Sequence, residues 1–344
     1  MEKIMRKLDR GTLFLATMIV VAVVALGYMG IAQYQNSRRP AALAIAAEKL
    51  EDYAPFDGAK AMEHLEAMCA IGPRMSGSPG MARQQAYLTK VLEAAGGEVS
   101  RQEFDVRHPL DGTRVLMANL IARFFPDRPE RILLCAHYDT RPFPDQDPLN
   151  PRGVFVGAND GASGVAVLCE LARHLPNLKS DVGVDIVFFD GEEMVYDNER
   201  DPYFLGSEYF ARDYAQNPPA HPYRYGVLLD MVGDKDLQLY QEKNSLRYPE
   251  VRPLVQQIWR TARQLGIREF IARPRHEIRD DHLVLNDIGK IPTCDIIDFD
   301  YPNPGYGPKY WHTEKDVPEN CSALSLAKVG ITVLTWLNEL QPAR

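Results

Sequence analysis

The chain has 344 residues with 45% apolar and 25% charged content, the balance of a globular protein with enough apolar side chains for a sizeable core, in one large domain or two ordinary ones. Its formal charge of -8, without a basic stripe beyond the first forty residues, excludes a nucleic-acid surface, because neutralising phosphates requires clustered Lys and Arg.

The amino-terminal segment differs in kind from the rest. Lys3, Arg6, Lys7 and Arg10 make residues 1–10 basic, and an uncharged apolar run follows from Gly11 to about Ala32. At about 1.5 Å per residue, such a helix spans a hydrocarbon core of about 30 Å. A cleaved signal peptide carries a shorter apolar region of about 7 to 15 residues, so residues 11–32 are expected to be a retained transmembrane signal anchor. More basic residues precede the run than follow it at Arg38 and Arg39. The positive-inside bias then keeps residues 1–10 cytoplasmic and predicts a single-pass protein whose body faces the periplasmic or extracellular side. The five cysteines are an odd number without paired short spacing. Cys135, Cys169 and Cys294 lie in apolar runs and read as buried small hydrophobes, while Cys69 and Cys321 could pair.

Residues 33–56 read as a linker that turns helical over Ala41 to Leu50 and stops at Pro55. The body, residues 57–344, reads as one domain. Apolar spacing predicts helices over Ala59 to Ala70 and Met81 to Ala95, the second closed by Gly96 and Gly97. Strands follow at Val115 to Ile121 and Arg131 to Ala136, then a helix from Ala162 to His174 and a strand from Val184 to Phe189. A helix over Gly206 to Tyr214 leads to a strand at Tyr225 to Leu229. Helices at Val251 to Gly266 and Asp281 to Asp287, a strand at Pro292 to Ile297 and a helix at Leu324 to Leu340 complete the chain. This alternation predicts an α/β fold, a three-layer sandwich with a mostly parallel mixed sheet between helices.

In such sheets, ligands bind beyond the carboxyl ends of the strands. His137 and Asp139 follow one predicted strand, Asp190, Glu192 and Glu193 another, and Asp230 a third; Asp160 opens a helix, and His312 comes after the last strand's loop. Each residue alone has an ordinary reading as a helix cap, a loop histidine or a solvated acid. Together, two histidines and several carboxylates at one sheet edge are the donor set that zinc accepts in catalytic sites. Adjacent Glu192 and Glu193 point opposite ways at a strand end, so one can hold a metal while the other faces substrate. That is the Lewis acid and proton carrier of a hydrolase or transferase.

Six motifs, in order, resemble the zinc aminopeptidase family that includes the glutaminyl-peptide cyclotransferases. They are His137-Tyr138-Asp139, Gly157-Ala158-Asn159-Asp160, Phe188-Phe189-Asp190-Gly191-Glu192-Glu193, Leu228-Leu229-Asp230, Asp280-Asp281-His282 and Trp311-His312-Thr313. The similarity runs from about residue 60 to the end and implies the zinc aminopeptidase-like fold for a zinc-dependent catalytic domain. Carried over by position, it implies that Asp160, Glu193 and His312 bind zinc and that Glu192 shuttles protons. It also implies that Asp280 joins a hydrogen-bonded acidic cluster. One Zn2+ is expected; two are possible, the second held by His137 and Asp230 with Asp160 as bridge.

Within that family, aminopeptidases place Gly-Ser only a few residues after the paired glutamates, whereas cyclotransferases insert a longer loop. Here Met194 to Leu205, twelve residues, separate Glu193 from Gly206-Ser207, which looks like the cyclotransferase length. Asn198 departs from the pattern, standing where animal cyclotransferases carry a tryptophan; Tyr196, Tyr203 or Phe204 could supply that aromatic wall. The resemblance therefore implies conversion of N-terminal glutamine to pyroglutamate on peptides or proteins, with ammonia released. In this reading Glu192 is the proton shuttle, Asp230 and Asp280 raise its proton affinity, and Trp311 forms an apolar wall for the substrate. The alternative is an aminopeptidase that activates water on the same residues. A non-catalytic binding module is a third class, whose usual sign, lost ligand positions, is not seen here. The acidic stretch Asp145 to Arg152 reads either as a loop over the mouth or as a solvated surface loop. Residues 301–310, rich in Pro and Gly, read as a substrate-lining loop.

Overall fold

Along one central strand Ile132, Leu134 and Ala136 alternate with Leu133 and Cys135, and the two sets enter different apolar clusters. This period of two places helices on both faces of the sheet. The strand belongs to a computed structural model that describes residues 48–301 and 309–341. The expected basic segment 1–10, anchor 11–32, most of the linker and residues 302–308 of the Pro- and Gly-rich loop lie outside the described residues. Among the described residues, no helix is long and apolar enough to cross a membrane.

The strands are β1 (Glu98–Arg107), β2 (Arg114–Phe124), β3 (Arg131–His137), β4 (Gly183–Phe189), β5 (Tyr223–Asp230), β6 (Leu239–Glu242), β7 (Phe270–Arg275) and β8 (Thr293–Ile297). Six of them form one sheet in the order β1-β2-β4-β3-β5-β8, and β6 pairs β7 separately. The pairs β3/β4, β3/β5 and β5/β8 are parallel, while β1/β2 and β2/β4 are antiparallel. The sheet is thus mixed, with the four strands β3, β4, β5 and β8 running the same way.

The helices are α1 (Gly58–Ala70), α2 (Pro79–Ala94), α3 (Ser163–Ala172), α4 (Leu205–Gln216), α5 (Arg252–Gln264), α6 (Asp281–Asp287) and α7 (Ala323–Glu339). Their starts are written locally. Asp57 accepts the N–H groups of Ala59 and Lys60 at 3.0 and 3.1 Å, and Ser78, with Pro79 next, accepts that of Met81 at 3.1 Å. Leu65, Leu88, Val165, Leu254 and Val329 from α1, α2, α3, α5 and α7 join the larger cluster on one face of the sheet, and Phe210 and Leu285 from α4 and α6 cover the other. All five cysteines are buried and free, including Cys69 and Cys321.

Every predicted helix and strand of the body is present within a few residues of its expected bounds. Strands β1, β6 and β7 were not foreseen. Of β1, only Phe104 is buried, because it is an edge strand with a solvated face, so its apolar signal is thin. β6 has four residues, and β7 contains Pro274 and two arginines, which read as loop. Asp185, the one charge within β4, is matched across the sheet by Arg131 and the Tyr223 hydroxyl, so the buried acid is paired as burial requires.

Candidate metal centre

The four parallel strands end at one edge, and the chemistry collects there. His137 and Asp230 are the last residues of β3 and β5, and Asp190 to Glu193 follow β4. Gly191 turns that segment with φ +76°, a left-handed conformation where an added Cβ would meet Met117 Sδ at 2.8 Å. Asp139 then fixes the paired glutamates by accepting the N–H groups of Glu192 and Glu193 at 3.2 and 3.0 Å. Asp160 is held in its turn by Asp316, which accepts the N–H groups of Asn159 and Asp160 at 2.7 and 3.0 Å. His312 has φ +54° and Met231, after Asp230, has φ +49°; such strain in non-glycine residues collects at functional sites.

These supports bring distant residues together. Glu193 Oε1 lies 3.0 Å and Asp160 Oδ2 3.3 Å from His312 Nε2. Asp160 Oδ1 and Asp230 Oδ1 each lie 3.2 Å from His137 Nε2. Asp160, Glu193 and His312 therefore present donor atoms within 4.8 Å of one another, as do His137, Asp160 and Asp230, with Asp160 common to both sets. Asp160 Oδ2 is buried without a hydrogen-bond partner. Burial alone would depress both imidazoles, yet the surrounding acids hold His137 and His312 well above the ordinary histidine range. The acids thus call strongly for positive charge, and a divalent cation supplies it while leaving the imidazoles neutral as ligands. The donors present fit such an ion.

Glu192 faces the adjoining pocket, with Oε2 4.0 Å from His137 Nδ1. Burial first, then the charges of Glu193, Asp280 and Asp281, push its carboxyl well above the usual range. Asp280 caps α6 by accepting the Asp281 N–H at 2.6 Å, and burial with the nearby Asp230 pushes it up as well. Behind it, Asp280, His282 and Asp295 form a further buried acid and imidazole cluster. Trp311 stacks on His312 with ring centroids 3.8 Å apart and meets Phe299 edge-on at 5.3 Å. Both rings, with Tyr203, Phe204, Met231 and Ile297, line a cavity of about 440 Å³ floored by Glu192, Asp230 and Asp280. Tyr196 instead turns to His108 and Phe143.

From the sequence, Arg141 has no role at the centre, and Asp145 only opens the acidic stretch read as a mouth or surface loop. Arg141 donates to Glu193 Oε2 and to Asn198, and its Nε donates to Asp145 Oδ1 at 2.6 Å. Asp145 Oδ1 in turn lies 3.3 Å from His312 Nδ1. Asn198 is thus a tie between Arg141, Asp145 and the Tyr203 hydroxyl. The only available signal was that Arg141 and Asp145 lie just beyond β3, where ligands gather.

Comparison with known proteins follows the same lines. The model of peptidase family M28 matches residues 119–337. The chain is similar to the glutaminyl-peptide cyclotransferase of Gloydius blomhoffii, 27% identical over 302 residues that cover 77% of this chain and 78% of the relative. Among solved structures, it is similar to the glutaminyl cyclase of Fimbriiglobus ruber, 40% identical with a TM-score of 0.78, covering 83% of this chain and 96% of the other. A leucine aminopeptidase precursor from Bacteroides thetaiotaomicron is 33% identical with a TM-score of 0.75, covering 83% and 98%.

Proposed function

We propose, from the premise that this chain belongs to peptidase family M28, that it is a zinc-dependent glutaminyl-peptide cyclotransferase, which turns the N-terminal glutamine of peptides or proteins into pyroglutamate and releases ammonia. The observation that carries this reading is the segment between Glu193 and α4, which brings Tyr203 and Phe204 into the wall of the pocket that Trp311 also lines. An apolar enclosure beside an acid floor suits a glutamine side chain whose own amine is the nucleophile.

Asp160, Glu193 and His312 would hold the zinc, which when bound polarises the γ-carboxamide carbonyl. The α-amine lies over the acid floor. Glu192 takes a proton from its nitrogen as the N–C bond to the side-chain carbonyl carbon (Cδ) forms, and hands that proton to the amide nitrogen as the old Cδ–N bond breaks and ammonia leaves. A carboxyl raised by burial and by neighbouring acids can both accept and return that proton near neutral pH. Arg141, buried against Glu193 Oε2, leaves Oε1 for the metal.

The test incubates the full chain with Gln-initiated and Leu-initiated peptides and reads the products by mass. Ammonia and pyroglutamate from the first support the reading; free leucine from the second overturns it in favour of an aminopeptidase. That second reading is favoured by the donor set His137, Asp160 and Asp230, which could hold a second ion. We also propose a membrane anchor at residues 11–32 with the enzyme on the non-cytoplasmic side, on the strength of the basic residues that precede the run.

A further inference from the structure

The charges around the pocket divide into an acidic floor and a set of local pairs. Its floor is acidic, with Glu192, Asp230 and Asp280. Around this floor, charges are matched locally with one exception. Arg141 is bound to Glu193 and Asp145. Glu277 faces Lys243 at 3.7 Å and Arg247 at 3.2 Å. Arg279 lines the same pocket and is exposed, and among the described residues it has no ion-pair partner.

Arg279 is also held in place. It directly precedes Asp280, whose backbone is fixed at the start of α6. Its guanidinium carbon lies 5.9 Å from the centroid of the Tyr203 ring, within cation–π reach. The Tyr203 hydroxyl donates to Asn198 Oδ1 at 3.0 Å, and Asn198 is tied to Arg141. The aromatic platform under Arg279 is therefore fastened to the metal centre itself.

We propose that Arg279 is a specificity residue that selects peptides with a carboxylate close behind the N-terminal residue. The inference rests on the cyclotransferase reading. A substrate amine drawn to the acid floor directs the following residues toward the rim, and a cavity of about 440 Å³ is of a size that takes more than a single small side chain. The carboxylate has two sources, an acidic side chain at the second or third position or the free carboxyl terminus of a very short peptide.

The experiment compares kcat/KM of the full chain on Gln-Glu-Ala-amide, Gln-Ala-Ala-amide and Gln-Lys-Ala-amide, and on Gln-Ala as free acid and as amide. The Glu peptide should exceed the Lys peptide roughly fivefold at low salt, equal to about 1 kcal/mol, the upper range for an exposed ion pair. The gap should narrow as salt screens it. Arg279→Lys should keep the preference, Arg279→Gln should bring the ratio to near one, and Arg279→Glu should invert it. Because the readout is a ratio between peptides, a general change in activity cancels. A preference for the Glu peptide supports the side-chain source, and a preference for free Gln-Ala over its amide supports the terminal one. Equal rates on all charged and neutral peptides, or a preference that survives Arg279→Gln, overturn the proposal alone. Absence of pyroglutamate from every peptide overturns it together with the cyclotransferase reading.

Discussion

Asp145 Oδ1 stands 3.3 Å from His312 Nδ1, on the side of the ring away from Asp160 and Glu193. A carboxylate behind a ligating imidazole fixes its tautomer and orientation and raises its basicity. Asp145→Asn should therefore weaken metal binding by about 10- to 100-fold without removing any proposed ligand. Competition with a graded series of chelators measures this, and unchanged affinity would remove Asp145 from the centre.

Glu192 touches the pocket but belongs to neither of the two sets of three donors at the centre. Glu192→Gln keeps the shape and loses the proton. Turnover should fall by about 10²- to 10⁴-fold, the range for general acid–base catalysis, with metal content per chain unchanged. Loss of the metal in this variant would show that Glu192 is a ligand instead.

Asp160 is shared by both donor sets, whereas Asp230 belongs to one. Chelation should abolish turnover, and one equivalent of zinc should restore it. Asp160→Asn should prevent reloading altogether; Asp230→Asn should still take up one equivalent. A cation present at about 1,000 times its dissociation constant stabilises the fold by about 4 kcal/mol, so the melting temperature should drop on chelation. Restoration only at two equivalents would favour the aminopeptidase reading.

Asp234 belongs to no donor set of the centre, and burial pushes its carboxyl from 3.8 up to about 6. Its Oδ1 accepts the Asp236 N–H at 3.1 Å, while Oδ2 has no hydrogen-bond partner. A raised folded-state value means that the contribution is fully present below the unfolded value and is lost as pH rises through the folded one. Asp234 should thus cost stability progressively between pH 3.8 and about 6. Asp234→Asn keeps the acceptor and removes the titration. It should match the parent near pH 4 and exceed it at pH 7 by on the order of 1 to 2 kcal/mol, discounted for residual exposure. Melting curves across that window would expose the error if the two proteins stay parallel.

Much of this molecule could be read from its residues alone. The alternation of apolar runs with helical spacing announces strands β2, β3, β4, β5 and β8 and their helices, because the periods of two and 3.6 are local properties of the chain. The same signal fails for β1, whose inward face holds little apolar surface, and for β7, where Pro274 and the arginines imitate a loop. Motif order singled out Asp160, Glu192, Glu193 and His312, since the ends of parallel strands are where ligands gather.

What the chain could not disclose is which polar groups meet across long separations. Arg141 and Glu193 are 52 positions apart, and Glu193 and His312 are 119 apart. No local period encodes such pairs. The tie of Asn198 to Arg141, the backing of His312 by Asp145 and the clamp of Asp316 on Asp160 arise only when sheet order and loop packing bring separate segments to one edge. Burial there removes water as the competing partner, so each acid must find a proton, a donor or a cation. Local sequence set the elements and their ends; tertiary packing decided which charges face one another.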